Sequence, residues 1–292
     1  MIPPPFEYLV PQSLPETFDM LRERGSDAKI LAGGQSLIPL MKLRLAGPAY
    51  LIDIQKLPGL TALEERDGAL VIGAMVRESA LEHSRLVQQR YPGLAQASSV
   101  IADPLVRNFA TVGGNLAHAD PANDHPAMML ALGAEVIAQG PGGTRTIPID
   151  DFLVDTFETS LATDELLTEI HIPQPPAHTG SAYFKLERKV GDYAIAAVAA
   201  QITLDGDVCT RAGLGLTNVA SKAVRPGQAE QFLVGKRLDE EVLREAARLA
   251  ADAAEPTSDL RGPAEYKRSI VRTLSIRALR ASTERARQEA IQ

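Results

Sequence analysis

The sequence predicts an α+β chain in three consecutive parts. Residues 1–55 run strand, helix, strand, which suggests a βαβ unit. Residues 56–175 switch to shorter strands with hairpin and glycine-turn signals among helices, and residues 176–292 begin with alternating strands and end in long Ala/Glu/Arg-rich segments.

Taken in order, "FEYLV" reads as a short strand and "SLPETFDMLRERG" as a helix that Ser13 is placed to cap. "AKILAGG" and "YLIDI" are the next strands. "LTALEERDGALVIGA" is hairpin-like around Asp67-Gly68, because Asp-Gly supplies the left-handed pair a tight hairpin turn needs. A helical stretch starts at Arg77, and "AMMLALGAEVIAQGPGGTRTIPIDDFL" reads as helix, strand, Gly-rich turn, strand. "IPQPPAHTGSAYF", with Pro173, Pro175 and Pro176, is the clearest linker. Beyond it, "AYFKLERKV" and "AIAAVAAQITLDGDVCTRAGLGLTNV", turning at Asp205-Gly206, suggest a small antiparallel sheet. Segments 238–254 and 264–288 carry apolar residues at spacings of three and four and read as amphipathic helices.

Composition narrows the function classes. A chain of 292 residues buries a real core without staples, and its single cysteine, Cys209, excludes an internal disulfide, a cysteine-ligated iron–sulfur cluster or a thiolate zinc site. Any metal or cluster chemistry then falls to another chain. The formal charge of −7, with both signs mixed throughout, offers no basic stripe for nucleic acid. No stretch approaches the ~18 apolar residues of a membrane span, and "MIPPPFEYLVPQ" is no signal peptide. The expected location is cytoplasmic, with any contact to the inner membrane face made through partners.

Two stretches share one grammar. In "LAGGQSLIP" (31–39) and "FATVGGNLAHADP" (109–121), β-prone residues run into a glycine pair and then a side-chain amide. Glycine permits left-handed backbone and close approach, and successive N–H groups in such a turn form a concave donor site for anionic oxygen. Either pair alone reads first as a tight turn. Two strand-then-glycine-pair stretches suit a pyrophosphate lying between loops of different lobes. "GLGLTN" (213–218) does not open a helix after a first strand, and no Walker loop occurs, so the usual nucleotide fingerprints are missing.

"AGGQSLIPLMKLRLAGPAYLIDI", "IADPLVRNFATVGGNLAHADPANDHPAMMLALGA" and "FKLERKVGDYAIAAVA" resemble the FAD-binding medium subunit of molybdenum hydroxylases, of the aerobic carbon-monoxide dehydrogenase type. The likeness runs essentially end to end and includes "GLTNVA" and "RGPAEYKR". It implies a two-lobed FAD-binding domain of the PCMH (vanillyl-alcohol oxidase-like) type, followed by a flavoprotein C-terminal domain. By that resemblance Ala32, Gly33, Gly34, Gln35, Ser36 and Leu37 form the first diphosphate loop, the diphosphate filling the space that side chains would take. Thr111, Val112, Gly113, Gly114 and Asn115 form the second, with Val112 where isoleucine is common.

Asp124 matches a carboxylate toward the ribityl and ribose part of FAD; from the residues alone it reads as the cap of the following helix. Ile101 and Tyr193 match residues against the isoalloxazine ring, although Tyr193 read alone is equally a half-buried sheet tyrosine. Lys185 matches a lysine near the pyrimidine end of the flavin, and Leu167 an apolar contact to the ring system. His118 departs from the small residue or asparagine common there and could modulate flavin access. The spacing of His118, Asp120, Asp124 and His125 fits no familiar metal site.

The resemblance further implies a large partner with a molybdenum cofactor and a small one with two [2Fe–2S] clusters, assembled as a dimer of heterotrimers. The flavin would collect electrons from the clusters and pass them to an external acceptor, so no catalytic acid or base is expected in this chain. The alternatives are the flavin subunit of an N-heterocycle dehydrogenase for nicotinate- or purine-like substrates, a stand-alone flavin oxidase, and a scaffold that has lost FAD. Substrate and acceptor are not legible in this chain.

Overall fold

The computed structural model describes residues 2–289. Its first lobe holds β1 (Glu7–Leu9), α1 (Leu14–Arg24), β2 (Ala28–Leu31), α2 (Leu37–Lys42) and β3 (Tyr50–Asp53). Ser13 caps α1 by accepting from the Glu16 N–H, and Phe18 and Leu21 turn inward onto Ile52 and Ile54. All three strands are parallel in the order β1-β3-β2. The strand–helix–strand rhythm is therefore present, but β1 and β2 are not neighbours: β3 enters between them.

The second lobe comprises β4 (Leu63–Arg66), β5 (Ala69–Gly73), α3 (Glu78–His83), α4 (Arg85–Arg90), α5 (Pro92–Ser99), α6 (Pro104–Arg107), α7 (Val112–His118), α8 (Asp124–Leu132), β6 (Glu135–Gly140), β7 (Gly143–Pro148), α9 (Ile149–Phe152), β8 (Leu153–Asp155), β9 (Glu158–Thr159) and β10 (Leu166–Pro173). Five strands form one antiparallel sheet in the order β4-β5-β10-β6-β7. Asp67 and Gly68 are both left-handed, as the β4–β5 turn requires. Helix α8 is apolar nearly all round, and every one of its residues is buried.

After the proline break come β11 (Thr179–Glu187), β12 (Ala194–Asp205) and β13 (Val208–Thr217), paired antiparallel, then α10 (Gly227–Leu233), α11 (Glu240–Asp252) and α12 (Ala264–Glu289). The run "AIAAVAAQI" explains itself once both faces of β12 are seen to be covered. Ala197 and Ala199 belong to a core shared with Met128 and Leu116 of the second lobe, whereas Ala196, Val198, Ala200 and Ile202 face Leu274 and Leu279 of α12.

Small residues let the layers touch at the backbone. A Cβ on Gly215 would run into the carbonyl oxygen of Ala127, and one on Gly213 into that of Ala131, so α8 lies directly on β13. The spacings match: two residues along a strand return to the same face, as four do along a helix. This is the role of "GLGLTN", and it is a packing role. Gly180 meets the Ser282 carbonyl of α12 on the opposite face in the same way. The flanking helices thus fix the sheet from both sides. Among the described residues no helix is long and apolar enough to cross a membrane.

Candidate cofactor site

The two glycine loops interlock. After β2 the chain turns through Gly34, whose φ of 74° is left-handed, and enters α2 at Leu37, which packs with Met41 and Leu51. The space a Cβ would need at Gly33 is filled by the Phe109 carbonyl oxygen, with the Ala110 Cα at 2.8 Å. This corrects the expectation that a diphosphate fills it: Gly33 is glycine because the second loop's main chain lies against it. Ala32 closes the junction, its Cβ 3.6 Å from where a Cβ on Gly114 would stand.

The second loop is a helix start rather than a strand end, which corrects the other half of the pattern. Thr111 makes only an isolated bridge to Arg77 before its hydroxyl accepts from the Gly114 N–H at 3.2 Å and caps α7. Gly113 and Gly114 therefore occupy the first helical turn, with Val112 buried beneath them. A Cβ on Gly113 would come within 2.7 Å of the Ala74 backbone, and one on Gly114 within 2.7 Å of the capping hydroxyl. The Arg77 guanidinium donates to the Phe109 carbonyl and to Gln55, and the Glu78 N–H donates to the Ala110 carbonyl at 3.0 Å, tying the loop to α3.

Groups suited to an anionic ligand remain at this junction. Among the described residues, the backbone N–H groups of Gly34, Gln35 and Ser36 donate to no carbonyl or side chain, and the buried Asn115 Oδ1 has no hydrogen-bond partner. Their chemistry fits a diphosphate and its neighbouring hydroxyls. Gly33→Ala forces the loops apart at a backbone contact, and we expect FAD retention to fall by an order of magnitude or more while the fold persists. Flavin-to-protein ratio after gel filtration, beside circular dichroism, measures this; undiminished flavin would show that the contact is dispensable.

Asp124 and Lys185 are brought together directly. Asn123, not Asp124, holds the N-cap backbone position of α8, because Asp124 is already helical and its carboxylate is drawn sideways. One oxygen accepts from the Tyr183 hydroxyl at 2.6 Å and the other from Lys185 Nζ at 3.0 Å. Both Asp124 and Lys185 side chains are under a tenth exposed. Burial pushes the Asp124 carboxyl up from its ordinary value against the opposing pull of Lys185 and Tyr183, and burial followed by the Asp124 charge pushes the Tyr183 phenol well up. Lys185 and Tyr183 stand two apart on β11, so one face of that strand delivers both to the start of α8.

Lys185 also donates to the Val100 carbonyl at 2.9 Å, which places it beside Ile101. Tyr193 lies in the loop before β12 rather than in the sheet, 43% exposed, with the Arg261 guanidinium 5.8 Å from its ring centre. Partial burial of its phenol, then Asp120, raises its pKa. Leu167 is buried in the second-lobe core at a β10 bulge, one residue from Thr168, whose carbonyl accepts from Ala74 behind Gly113. It supports the second loop from behind. His118 tilts against Phe157, ring centres 5.0 Å apart, and burial lowers its pKa. His118, Asp124 and His125 thus go to three different partners, since His125 bonds Glu78 at 2.6 Å.

Sequence reasoning missed Arg77, Tyr183 and Arg107. Arg77 meets Phe109 32 residues away, Tyr183 meets Asp124 59 away, and Arg107 joins Glu82, 25 away, to the nearby Ile101 and Ala102 carbonyls, so no local pattern marks them.

Residues 4–175 match the family described as FAD binding domain in molybdopterin dehydrogenase, and residues 181–282 the CO dehydrogenase flavoprotein C-terminal domain. The chain is 45% identical to the carbon monoxide dehydrogenase medium chain of Hydrogenophaga pseudoflava, over 98% of this chain and 99% of that one. It is 39% identical to subunit alpha of the 6-hydroxypseudooxynicotine dehydrogenase complex of Paenarthrobacter nicotinovorans, over 98% and 97%. A solved carbon monoxide dehydrogenase from Hydrogenophaga pseudoflava, lacking the Mo-pyranopterin moiety of its cofactor, superposes with a TM-score of 0.95 at 46% identity, covering 98% of this chain and 99% of that one.

Proposed function

The chain belongs to the FAD-binding subunits of molybdopterin dehydrogenases, and from that membership we propose that it is the medium subunit of a molybdenum hydroxylase of the carbon-monoxide dehydrogenase type. It is an oxidoreductase subunit of a multi-subunit complex. In our reading the partners are a large subunit with the molybdenum cofactor, where substrate is oxidised, and a small subunit with two [2Fe–2S] clusters. Two such heterotrimers pair, and any contact with the inner face of a membrane is made through the complex.

FAD supplies a redox centre that exchanges electrons singly or in pairs. The work of this chain is to hold, orient and shield it. Gly34, Gln35 and Ser36 offer backbone donors to the diphosphate, with Ala32, Gly33 and Leu37 fixing their turn, while Thr111, Val112, Gly113 and Gly114 present Asn115 from the other side. Asp124 keeps lone pairs free beyond its bonds to Tyr183 and Lys185 and takes the ribityl or ribose hydroxyls. Ile101 and Tyr193 limit water at the ring system, and Lys185 carries positive charge toward it. Leu167 backs the second loop.

The observation that carries this reading is the interlock of the two loops at Gly33, with unclaimed donors on one loop and an orphaned acceptor on the other. Purification of the chain from its native host tests it. We expect a flavin spectrum with iron–sulfur absorbance and two co-purifying subunits, and carbon monoxide oxidised by the complex. A yellow protein that purifies alone and turns over a small molecule would overturn the subunit reading. Oxidation of an N-heterocycle instead would reassign the substrate to the class suggested by the pseudooxynicotine relative.

A further inference from the structure

Three consecutive carbonyls, those of Val100, Ile101 and Ala102, are each held by a cation. Lys185 takes the first. The second and third accept from one guanidinium nitrogen of Arg107, at 2.9 and 3.4 Å. Arg107 is nearly buried, and its remaining face pairs with Glu82, Nε to Oε2 at 2.8 Å and a second contact at 3.4 Å. The turn it grips is not one the chain adopts freely, because Ala102 is left-handed at a φ of 46°. Gly191 rests on it as well: a Cβ there would stand 2.7 Å from the Ala102 carbonyl oxygen, and Gly191 is itself left-handed at 82°. Two residues on is Tyr193.

We propose that Arg107 is a positioning residue for the flavin ring: charge-balanced by Glu82, it fixes Ile101 directly and, through Ala102 and Gly191, the loop that presents Tyr193. The inference rests on the reading that Ile101 and Tyr193 face that ring. A planar fork suits the task, since it serves two carbonyls and a carboxylate at once, whereas a lysine ammonium keeps the charge without the fork. The Arg107 bonds described go to those two carbonyls and to Glu82, so its part is to hold other residues in place.

The test compares the flavin midpoint potential and the FAD content of the purified complex for Ile101→Ala, Arg107→Gln, Arg107→Lys and the native enzyme. We expect Ile101→Ala and both Arg107 variants to shift the potential while FAD content stays near stoichiometric. If Arg107→Lys restores the native potential, the effect is one of charge alone and the positioning role is overturned. If Ile101→Ala shifts it and neither Arg107 variant does, Arg107 is merely structural and the placement of Ile101 stands. If none of the variants shifts it, Ile101 does not address the flavin and the proposal falls with that reading. Should Arg107→Gln not accumulate, Arg107→Lys carries the comparison.

Discussion

Gly215→Val is expected to destabilise the protein by about 3 kcal/mol, at the upper end for overpacking a well-filled core. A Cβ at this position meets the Ala127 carbonyl oxygen well inside contact distance, with the carbonyl carbon at 2.6 Å and the Cα at 2.8 Å. The obstruction is main chain on both sides, so no rotamer change relieves it. To make room, α8 must lift off β13, and α8 begins with Asp124, whose bonds to Tyr183 and Lys185 hold it to β11, the other edge of the same sheet. The variant should therefore lose flavin along with stability. Gly227→Ala is the control, because nothing lies within 4 Å of a Cβ there, and it should change stability by no more than about 0.5 kcal/mol. Thermal unfolding of both variants, with FAD content measured beside it, decides the matter. Equal melting points would mean that helix and strand are not packed backbone to backbone.

That contact marks what local sequence can and cannot say. The α+β class and most elements were legible, because each announces itself within a few residues: Ser13 caps, Asp67-Gly68 turns, and the proline cluster separates two strands. The order β1-β3-β2 was not, since nothing within a strand names its neighbour. The glycine pairs were located correctly as features, read as tight turns or as a diphosphate cradle, where the structure gives each of the four glycines its own reason. Gly33 meets Phe109, Gly34 is left-handed, Gly113 meets Ala74 and Gly114 meets the Thr111 hydroxyl. Three of these reasons are close contacts, and only the cap contact is local in sequence. Asp124 shows the same limit, for a carboxylate at a helix start looks like a cap until the strand bearing Tyr183 and Lys185 is placed beside it.

His125→Gln should remove a stability that the native protein loses as pH rises. His125 and Glu78 are both fully buried and meet at 2.6 Å, joining α8 to the helix whose first residues hold the second glycine loop. Burial opposes a charged imidazole, but the Glu78 carboxylate outweighs it, aided by Asp124, and His125 is held above its ordinary value of 6.5. Because the folded state then binds the proton more tightly than the unfolded chain, the pair contributes fully below pH 6.5 and its contribution declines as pH rises through the elevated folded value. The slope over that window is at most about 1.4 kcal/mol per pH unit. In His125→Gln the imidazole's share of that slope is gone, and the carboxyl group left buried without its cation should cost about 3–5 kcal/mol at pH 6. Glu78→Gln should cost less, since a histidine that has lost its carboxylate can release its proton and remain buried as a neutral ring. Denaturant unfolding of the three proteins from pH 5.5 to 8.5 measures both effects. Parallel pH profiles for the native chain and His125→Gln would show that the pair is not charged in the folded protein.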